Sequence, residues 1–291
     1  MRGTGHFLAA SAFACLLIAG TNGITQPEEV SAIKYVRDRL SPRSINWATA
    51  MESWSCPTDP SSSQGECDVC SNNWSGNWEH VHCRGREGPY GEGSFGVRDG
   101  FITTIHITDV NLDGPVPREF CALTSLRELD LDGAQQTGPF PRWLGEPWPP
   151  GSDTQCLPNL QELDLSYNRL SGPLPKNIAN KTSLQEIKIE GNFLTGSIPE
   201  EIAEMPNLWR LRLQNNRFSG KIPQSFSKMG GVLNELWLDG NNFEGDLSAL
   251  GPTRLAYALV HNNPGLCGMI PASVRFAHGF NPAGTRLGQP C

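Results

Sequence analysis

Two short motifs near the N-terminus have residue types and spacings that could do chemistry. Gly91-x-Gly93-x-x-Gly96 matches the string of a phosphate-binding glycine loop, and His80 and His82 are spaced like two metal ligands on one strand. The glycine string lacks the preceding strand and following helix that such a loop needs, and no third ligand follows the histidines at usable spacing. We therefore expect no nucleotide, no metal and no other cofactor, and interpret both motifs as parts of an N-terminal cap.

The cysteines indicate an oxidising compartment. Cys15 lies in an apolar run over residues 7–20 that is followed by small residues, which predicts a secretory signal over residues 1–23. Eight cysteines remain, and an even number in a secreted chain predicts disulfides: Cys56, Cys67, Cys70, Cys83, Cys121, Cys156, Cys267 and Cys291. A zinc or redox site at Cys67-x-x-Cys70 is disfavoured, because the strand-then-helix context of such a redox pair is missing.

Composition excludes several classes of function. The chain has 31 glycines and 23 prolines with 38% hydrophobic residues, which favours a turn-rich, repetitive architecture over one central core. The net charge of −7 has the wrong sign for gripping phosphate backbones, so we expect no nucleic-acid partner. After the signal no apolar stretch approaches the length of a membrane span.

One pattern repeats along the chain, L-x-x-L-x-L-x-x-N-x-L-x-G-x-[IL]-P. It is clearest from Leu160, Leu184 and Leu208, which lie 24 residues apart, and weaker copies extend it to about seven repeats over residues 101–271. The second repeat carries Ala134 in place of the asparagine and then an insertion around residues 146–154. Residues 24–100 and 272–291 are then predicted to be N-terminal and C-terminal caps, which a stack of repeats requires.

Each part of the pattern predicts a structural role. The L-x-L leucines alternate with outward residues on a short strand, and strands of successive coils pair in parallel. The asparagines recur where the chain turns inward, so their side chains must bond to backbone groups of neighbouring coils: Asn168, Asn192, Asn216, Asn241 and Asn263. We predict an α/β solenoid, a right-handed superhelix with a parallel β-sheet on its concave face.

The outward strand positions form the predicted binding face. Three columns of outward residues run across the coils, with carboxylates concentrated in the second to fourth repeats, cations at the centre and aromatic residues at the end. The candidate binding residues are Asp130, Glu162, Asp164, Glu186, Lys188, Glu190, Arg210, Arg212, Gln214, Trp237 and Tyr257.

The charged residues of this face allow three interpretations. Glu162 and Glu186 would lie roughly 5 Å apart, as in retaining glycosidases, but an open sheet offers no cleft to bury one of them, so we expect no enzyme. Glu186 and Glu235 around Arg210 could form a surface ion-pair ladder with only a structural role. Arg212 beside Trp237 is instead a pairing that interface hot spots favour, and we expect a binding face.

These repeats resemble those of plant-type extracellular leucine-rich-repeat proteins, such as receptor-kinase ectodomains and polygalacturonase-inhibiting proteins. The L-x-G-x-I-P segments carry the resemblance, together with Asn-Pro-Gly-Leu-Cys-Gly at 263–268 and the stretch from Cys70 to Cys83. The resemblance implies a non-enzymatic secreted protein whose concave face binds a protein partner. The resemblance to the inhibitor family suggests that this partner is a hydrolase. The alternatives are a receptor-like or co-receptor module for a peptide, and a structural wall or matrix protein. The oligomeric state stays open.

Disulfide bridges and N-glycans are also expected. Local closure of the caps predicts bridges Cys56–Cys67, Cys70–Cys83 and Cys267–Cys291. Cys121 and Cys156 each precede the first leucine of a repeat by four or five residues, so we expect them to meet on neighbouring coils. The sequons at Asn73 and Asn180 predict N-glycans away from the concave face.

Overall fold

The structure is a computed structural model that describes residues 102–108, 112–251, 253, 255–272 and 280–291, with the backbone of three short strands before them. The predicted signal, the sites at His80, Gly91 and Asn73, and the bridges of Cys56, Cys67, Cys70 and Cys83 lie outside these residues, except for the backbone of His82 and Cys83.

The outward columns lie on an eight-stranded sheet, as the pattern predicts. Its order is β1-β4-β5-β7-β9-β11-β13-β15; β1 is antiparallel to β4 and all other neighbours are parallel. The strands are β1 Val81–Cys83, β4 Ile102–His106, β5 Glu128–Asp130, β7 Glu162–Asp164, β9 Glu186–Lys188, β11 Arg210–Arg212, β13 Glu235–Trp237 and β15 Tyr257–Leu259. Two further strands, β2 Arg86–Glu87 and β3 Ser94–Phe95, form a separate antiparallel pair.

A second parallel sheet, which the pattern did not predict, runs along the coils after each turn. Its order is β17-β16-β14-β12-β10-β8-β6. The strands are β6 Thr137–Pro139, β8 Arg169–Pro173, β10 Phe193–Gly196, β12 Arg217–Lys221, β14 Asn242–Gly245, β16 Gly265–Gly268 and β17 Arg286–Leu287. The turn between them joins the two sheets, so each of the six coils from β5–β6 to β15–β16 contributes one strand to each.

The return segments are 3₁₀ helices because each is short and most begin at a proline. They are Arg118–Ala122, Arg142–Gly145, Lys176–Asn180, Glu200–Glu204, Gln224–Met229 and Ser248–Leu250. The first five follow a proline with φ between −53° and −76°. The proline carbonyl accepts the first i→i+3 bond, as from Ile202 N to Pro199 O at 3.2 Å. A 3₁₀ turn also rises about 2.0 Å per residue against 1.5 Å in an α-helix, so few residues close the coil.

The core is one continuous stack of apolar side chains. The inward residues of both sheets and of the 3₁₀ segments are buried, for example Leu163, Leu170 and Ile178 in one coil at 0% exposure. Phe218 and Phe243 stack with ring centroids 6.2 Å apart. No single coil encloses its own core, which explains why the repeats depend on their neighbours.

The insertion in the second repeat folds outside the stack. Trp148 N donates to Thr154 O at 2.8 Å and Cys156 N to Glu146 O at 3.1 Å, so the segment turns back as a small hairpin. The predicted bridge Cys121–Cys156 closes its base with a Cα separation of 4.6 Å. The predicted bridge Cys267–Cys291 ties the terminal strand β17 to β16.

The asparagine ladder is present on the five predicted coils. Asn192 shows the pattern: its Nδ2 donates to Leu165 O of the preceding coil at 2.9 Å and to Ile189 O and Glu190 O of its own coil. Its Oδ1 accepts from Leu170 N at 2.9 Å. One buried side chain therefore joins two coils and closes the turn between the two sheets.

Asn192→Leu is expected to destabilise the protein although it makes the core more apolar. The change leaves the Leu170 N–H and the carbonyls of the turn without this partner. A buried polar group without a hydrogen bond costs about 1–3 kcal/mol of folding free energy. Thermal melts against Asn207→Leu provide the control, because Asn207 donates to Thr182 O from an exposed position. Equal melting temperatures for the two variants would contradict the ladder's role.

One inward position holds a polar side chain without partners. Gln136 is 0% exposed, and neither its Oε1 nor its Nε2 makes a hydrogen bond. The equivalent residues of later coils are apolar, as at Leu170 and Leu194. The second repeat therefore carries an unpaired amide in the core.

Gln136→Leu is expected to stabilise the fold by about 1–3 kcal/mol, because it removes an unpaired buried amide and restores the residue type of the other coils. Chemical denaturation of the variant and the wild type measures the change. A lower free energy of unfolding in the variant would mean that the amide contributes to folding.

Lys181 is a second polar residue in an apolar position. It is 2% exposed, and its Nζ donates to the carbonyls of Cys156 and Leu157 in the preceding coil. Met205 holds the corresponding place one coil later. Burial lowers the pKa of the Lys181 ammonium to about 8.

This pKa predicts how stability depends on pH. Between about pH 8 and pH 10 the unfolded chain holds a proton at Lys181 that the folded chain releases, so stability from this group rises with pH, by at most ~3 kcal/mol. Urea unfolding of the wild type and of Lys181→Met at pH 7 and pH 9.5 measures this. The free energy of unfolding of the wild type should rise between the two pH values relative to that of Lys181→Met. A pH-independent difference between the two proteins would argue against the lowered pKa.

Candidate functional site

The candidate site is the outward face of the eight-stranded sheet, called the strand face below. The parallel register aligns equivalent residues of successive coils, so that Glu128, Glu162 and Glu186 neighbour one another in the first column. The second column continues from Asp164 and Lys188 in the same way. Strand alternation therefore brings the candidate residues of the first two columns to one side of the sheet.

A chain of ion pairs occupies the middle of the strand face. Lys188 pairs with Glu162, with Glu186 at 3.5 Å and with Asp164 at 3.7 Å. Arg210 continues the chain, with 2.7 Å contacts to both Glu186 and Glu235. The ion-pair ladder considered from the sequence therefore exists, and it fixes the side chains of the first column.

The ion pairs also bear on the hydrolase interpretation. Lys188 contacts both Glu162 and Glu186, so its ammonium fills the space between the carboxylates that a glycosidic bond would need. Burial raises the pKa of Glu162, while Lys188 acts in the opposite direction. Glu186 is held by Lys188 and Arg210 together. Both carboxylates are therefore engaged in ion pairs.

The N-terminal end of the strand face is acidic. Burial raises the pKa of the Asp130 carboxyl, and the Asp164 charge in the next coil raises it further. The hydrogen bond from His106 Nε2 to Glu128 Oε1, 2.7 Å long, raises the pKa of His106. A negative potential at this end favours cationic groups on a partner.

Arg212 and Trp237 form the centre of the predicted hot spot. The Arg212 guanidinium lies 4.1 Å from the centroid of the Trp237 ring, and it is 3.9 Å from Glu190 and 3.8 Å from Glu235. Neither Arg212 Nε nor Trp237 Nε1 makes a hydrogen bond. Both side chains therefore keep unused donors on neighbouring coils.

The third column is less accessible than its outward position suggests. Glu190 and Gln214 are each 6% exposed, and Asp239 is 9% exposed. Each has one side-chain oxygen without a hydrogen bond. By contrast Tyr257, at the C-terminal end of the strand face, is 38% exposed.

Tyr167 is a candidate that the column analysis missed. It lies between the third column and the ladder asparagine, has φ of 51° and is 60% exposed. One feature of the sequence distinguishes Tyr167: it is a bulky residue at a position where other coils carry glycine or asparagine. Elsewhere, Asn180 is exposed on a return segment, and its Nδ2 donates to Gly145 O.

Within the residues that the structure describes, no cluster of side chains has the composition of a metal site. In the same residues no helix is long and apolar enough to cross a membrane.

Residues 158–218 match the leucine rich repeat family. The fold is similar to the plant peptide hormone receptor RGFR1 in complex with RGF2, with 28% identity, a TM-score of 0.52, and coverage of 60% of this chain and 27% of that one. It is also similar to the Arabidopsis receptor kinase HAESA in complex with the peptide hormone IDA and the co-receptor SERK1, with 27% identity, a TM-score of 0.53, and coverage of 64% and 30%. This chain thus spans less than a third of the length of these receptor chains.

A plant ice-binding protein matches over most of both chains, 90% of this one and 88% of that one, with a TM-score of 0.57; at 20% identity it shows the fold alone. No curated protein matches in sequence. The aligned strands, the asparagine ladder and these similarities together show that the chain folds as a leucine-rich-repeat solenoid, similar to the ectodomains of plant receptor kinases.

Proposed function

We propose that this chain is an extracellular recognition protein that binds a protein or peptide partner on its strand face and catalyses no reaction. The observation that carries the proposal is the stack of Arg212 on Trp237, two part-exposed side chains on an open sheet. Arginine and tryptophan are the residue types that most often dominate binding energy. The supporting ion pairs hold the face rigid, which reduces the entropy lost on binding.

The partner class follows from the chemistry of the face. The seven parallel strands of the repeats, at about 4.8 Å spacing, span roughly 29 Å, which suits a protein epitope or a short peptide. The acidic end would steer a basic partner toward the face and make the association rate depend on salt.

A peptide or co-receptor partner is favoured by one further observation. Two similar structures, RGFR1 and HAESA, are described in complex with RGF2 and with IDA and SERK1 respectively. The alternative of a hydrolase partner rests on the resemblance of the repeats to polygalacturonase-inhibiting proteins. Secretion after removal of residues 1–23 and glycans at Asn73 and Asn180 are parts of the same proposal.

The double variant Arg212→Ala/Trp237→Ala is expected to lose at least about 100-fold in affinity, because paired hot spots contribute roughly 2 kcal/mol or more each. The partner is first captured with the wild-type protein from extracellular fluid, purified, and then measured by surface plasmon resonance. The melting temperature should change little, since both side chains lie outside the core.

A matched control is available on the other sheet. Arg217 lies over the Phe193 ring at 4.9 Å, so Arg217→Ala/Phe193→Ala removes the same kind of stack from a surface outside the strand face. This variant should bind like the wild type. Wild-type affinity in the Arg212/Trp237 variant would exclude the strand face as the binding surface.

A further inference from the structure

The residue before each ladder asparagine, and before Ala134 at the same place in the second repeat, adopts a left-handed conformation. Glycine and a larger residue alternate at this position from coil to coil, with φ between 51° and 66°: Gly133, Tyr167, Gly191, Asn215, Gly240 and Asn262. Each larger side chain lies over the glycine of the next coil. A Cβ on Gly191 would be 2.7 Å from Tyr167 Cδ1, and a Cβ on Gly240 would be 2.5 Å from Asn215 Oδ1.

Tyr167 is the residue that does not suit this conformation. Glycine has no Cβ to strain, and asparagine tolerates the left-handed region through local hydrogen bonds of its side chain. A tyrosine gains neither advantage. Its ring is also 60% exposed, so burial does not compensate for the strain. A strained, exposed aromatic side chain in an otherwise regular stack indicates a role in binding.

The surroundings of Tyr167 are acidic. Partial burial and the charges of Glu190 and Asp132 on the two flanking coils raise the pKa of the Tyr167 hydroxyl, and Asp164 of its own coil acts in the same direction. Lys188 compensates Asp164 at 3.7 Å, and Arg212, which is 3.9 Å from Glu190, lowers the pKa of the Tyr167 hydroxyl. Carboxylates therefore outnumber cations around the ring.

Glu190 supplies the second observation. It is 6% exposed, its Oε1 is 3.9 Å from the Arg212 guanidinium, and its Oε2 makes no hydrogen bond. Burial raises the pKa of the Glu190 carboxyl, and hydrogen bonds from its own backbone and from Ser166, together with the Arg212 charge, offset this only in part. A cation brought by a ligand would provide the missing interaction.

We propose that Tyr167 and Glu190 form a subsite for one cationic side chain of the partner, a lysine or an arginine. The ammonium or guanidinium group stacks on the exposed face of the Tyr167 ring, where the ring quadrupole and the carboxylates of Glu190, Asp132 and Asp164 attract it. This subsite rests on the proposed function of the strand face and adds the chemistry of one partner residue.

The variant Tyr167→Asn separates binding from folding. It places asparagine over Gly191, which reproduces the pair formed by Asn215 and Gly240, so the coil should fold with an unchanged or higher melting temperature. Tyr167→Phe keeps the ring and serves as the matched control. Glu190→Gln removes the charge with little change in shape.

The probe is the peptide acetyl-Ala-Ala-Lys-Ala-Ala-amide, compared with its norleucine analogue, which has the same length without the charge. Binding is followed by NMR at the amide of Gly191, which donates to Gln214 O at 3.0 Å beneath the ring. We expect the lysine peptide to bind at least tenfold more tightly than the norleucine peptide. Tyr167→Asn and Glu190→Gln should abolish this preference, and Tyr167→Phe should retain it.

Equal binding of the two peptides to the wild type, or an intact preference in Tyr167→Asn or Glu190→Gln, would overturn the subsite. Failure of the subsite differs from failure of the strand face as a whole. If the captured partner loses affinity through Arg212→Ala/Trp237→Ala but not through Tyr167→Asn, the proposed function stands and the cationic subsite does not. If Tyr167→Asn weakens the partner at least tenfold at an unchanged melting temperature, both are supported.

Discussion

The buried asparagine at the turn of five successive coils is the interaction on which the rest of the structure depends. Its amide donates to carbonyls of two coils, and its carbonyl accepts a backbone N–H from the preceding coil, as Asn216 does with Ile189 O and Leu194 N. No apolar residue can do this, because the turn exposes backbone groups to the core that only a side-chain amide can satisfy. Once the turn is fixed, the strand before it joins one sheet and the strand after it joins the other. The position of every outward side chain on the strand face follows from that turn.

The strand face then acquires properties that no single coil has. Residues that are 24 positions apart in sequence become neighbours about 4.8 Å apart, so their charges must be balanced across coils. Lys188 and Arg210 provide this balance for Glu162, Glu186 and Glu235. The third column lacks this balance, because Glu190 and Gln214 are buried and each has a side-chain oxygen that makes no hydrogen bond. The face is thus ion-paired in its first column and incompletely hydrogen-bonded in its third, which is consistent with the proposed binding role.

The sequence predicted the parts of the fold that depend on spacing. Leucine alternation and the asparagine interval were sufficient for the strands, their register and the bridge Cys121–Cys156, since each follows from counting residues in a coil. The second sheet was missed because its strands, such as Arg169–Pro173, have no alternating apolar pattern beyond one inward leucine. The burial of Lys181 was missed because its charge predicts exposure, whereas two carbonyls of the preceding coil hold it inside. Tyr167 was missed because it lies at the turn and outside the outward strand columns, where only the glycine or asparagine of the other coils distinguishes its left-handed position.

Among the buried polar atoms that make no hydrogen bond, those of the core and those of the strand face have different meanings. Gln136 is enclosed in the core at a position where other coils carry leucine or phenylalanine, so no ligand can reach it and its cost remains uncompensated. Glu190, Gln214 and Asp239 lie on three successive coils at one edge of an open sheet, beside Arg212 and Trp237, which also keep unused donors. A single unpaired group costs about 1–3 kcal/mol, which a marginally stable stack can tolerate once. Apolar substitutions could remove several unpaired groups on successive coils. Their presence is therefore explained if the same groups bind a partner. Their concentration on the strand face therefore argues that this surface is arranged for recognition at the expense of stability.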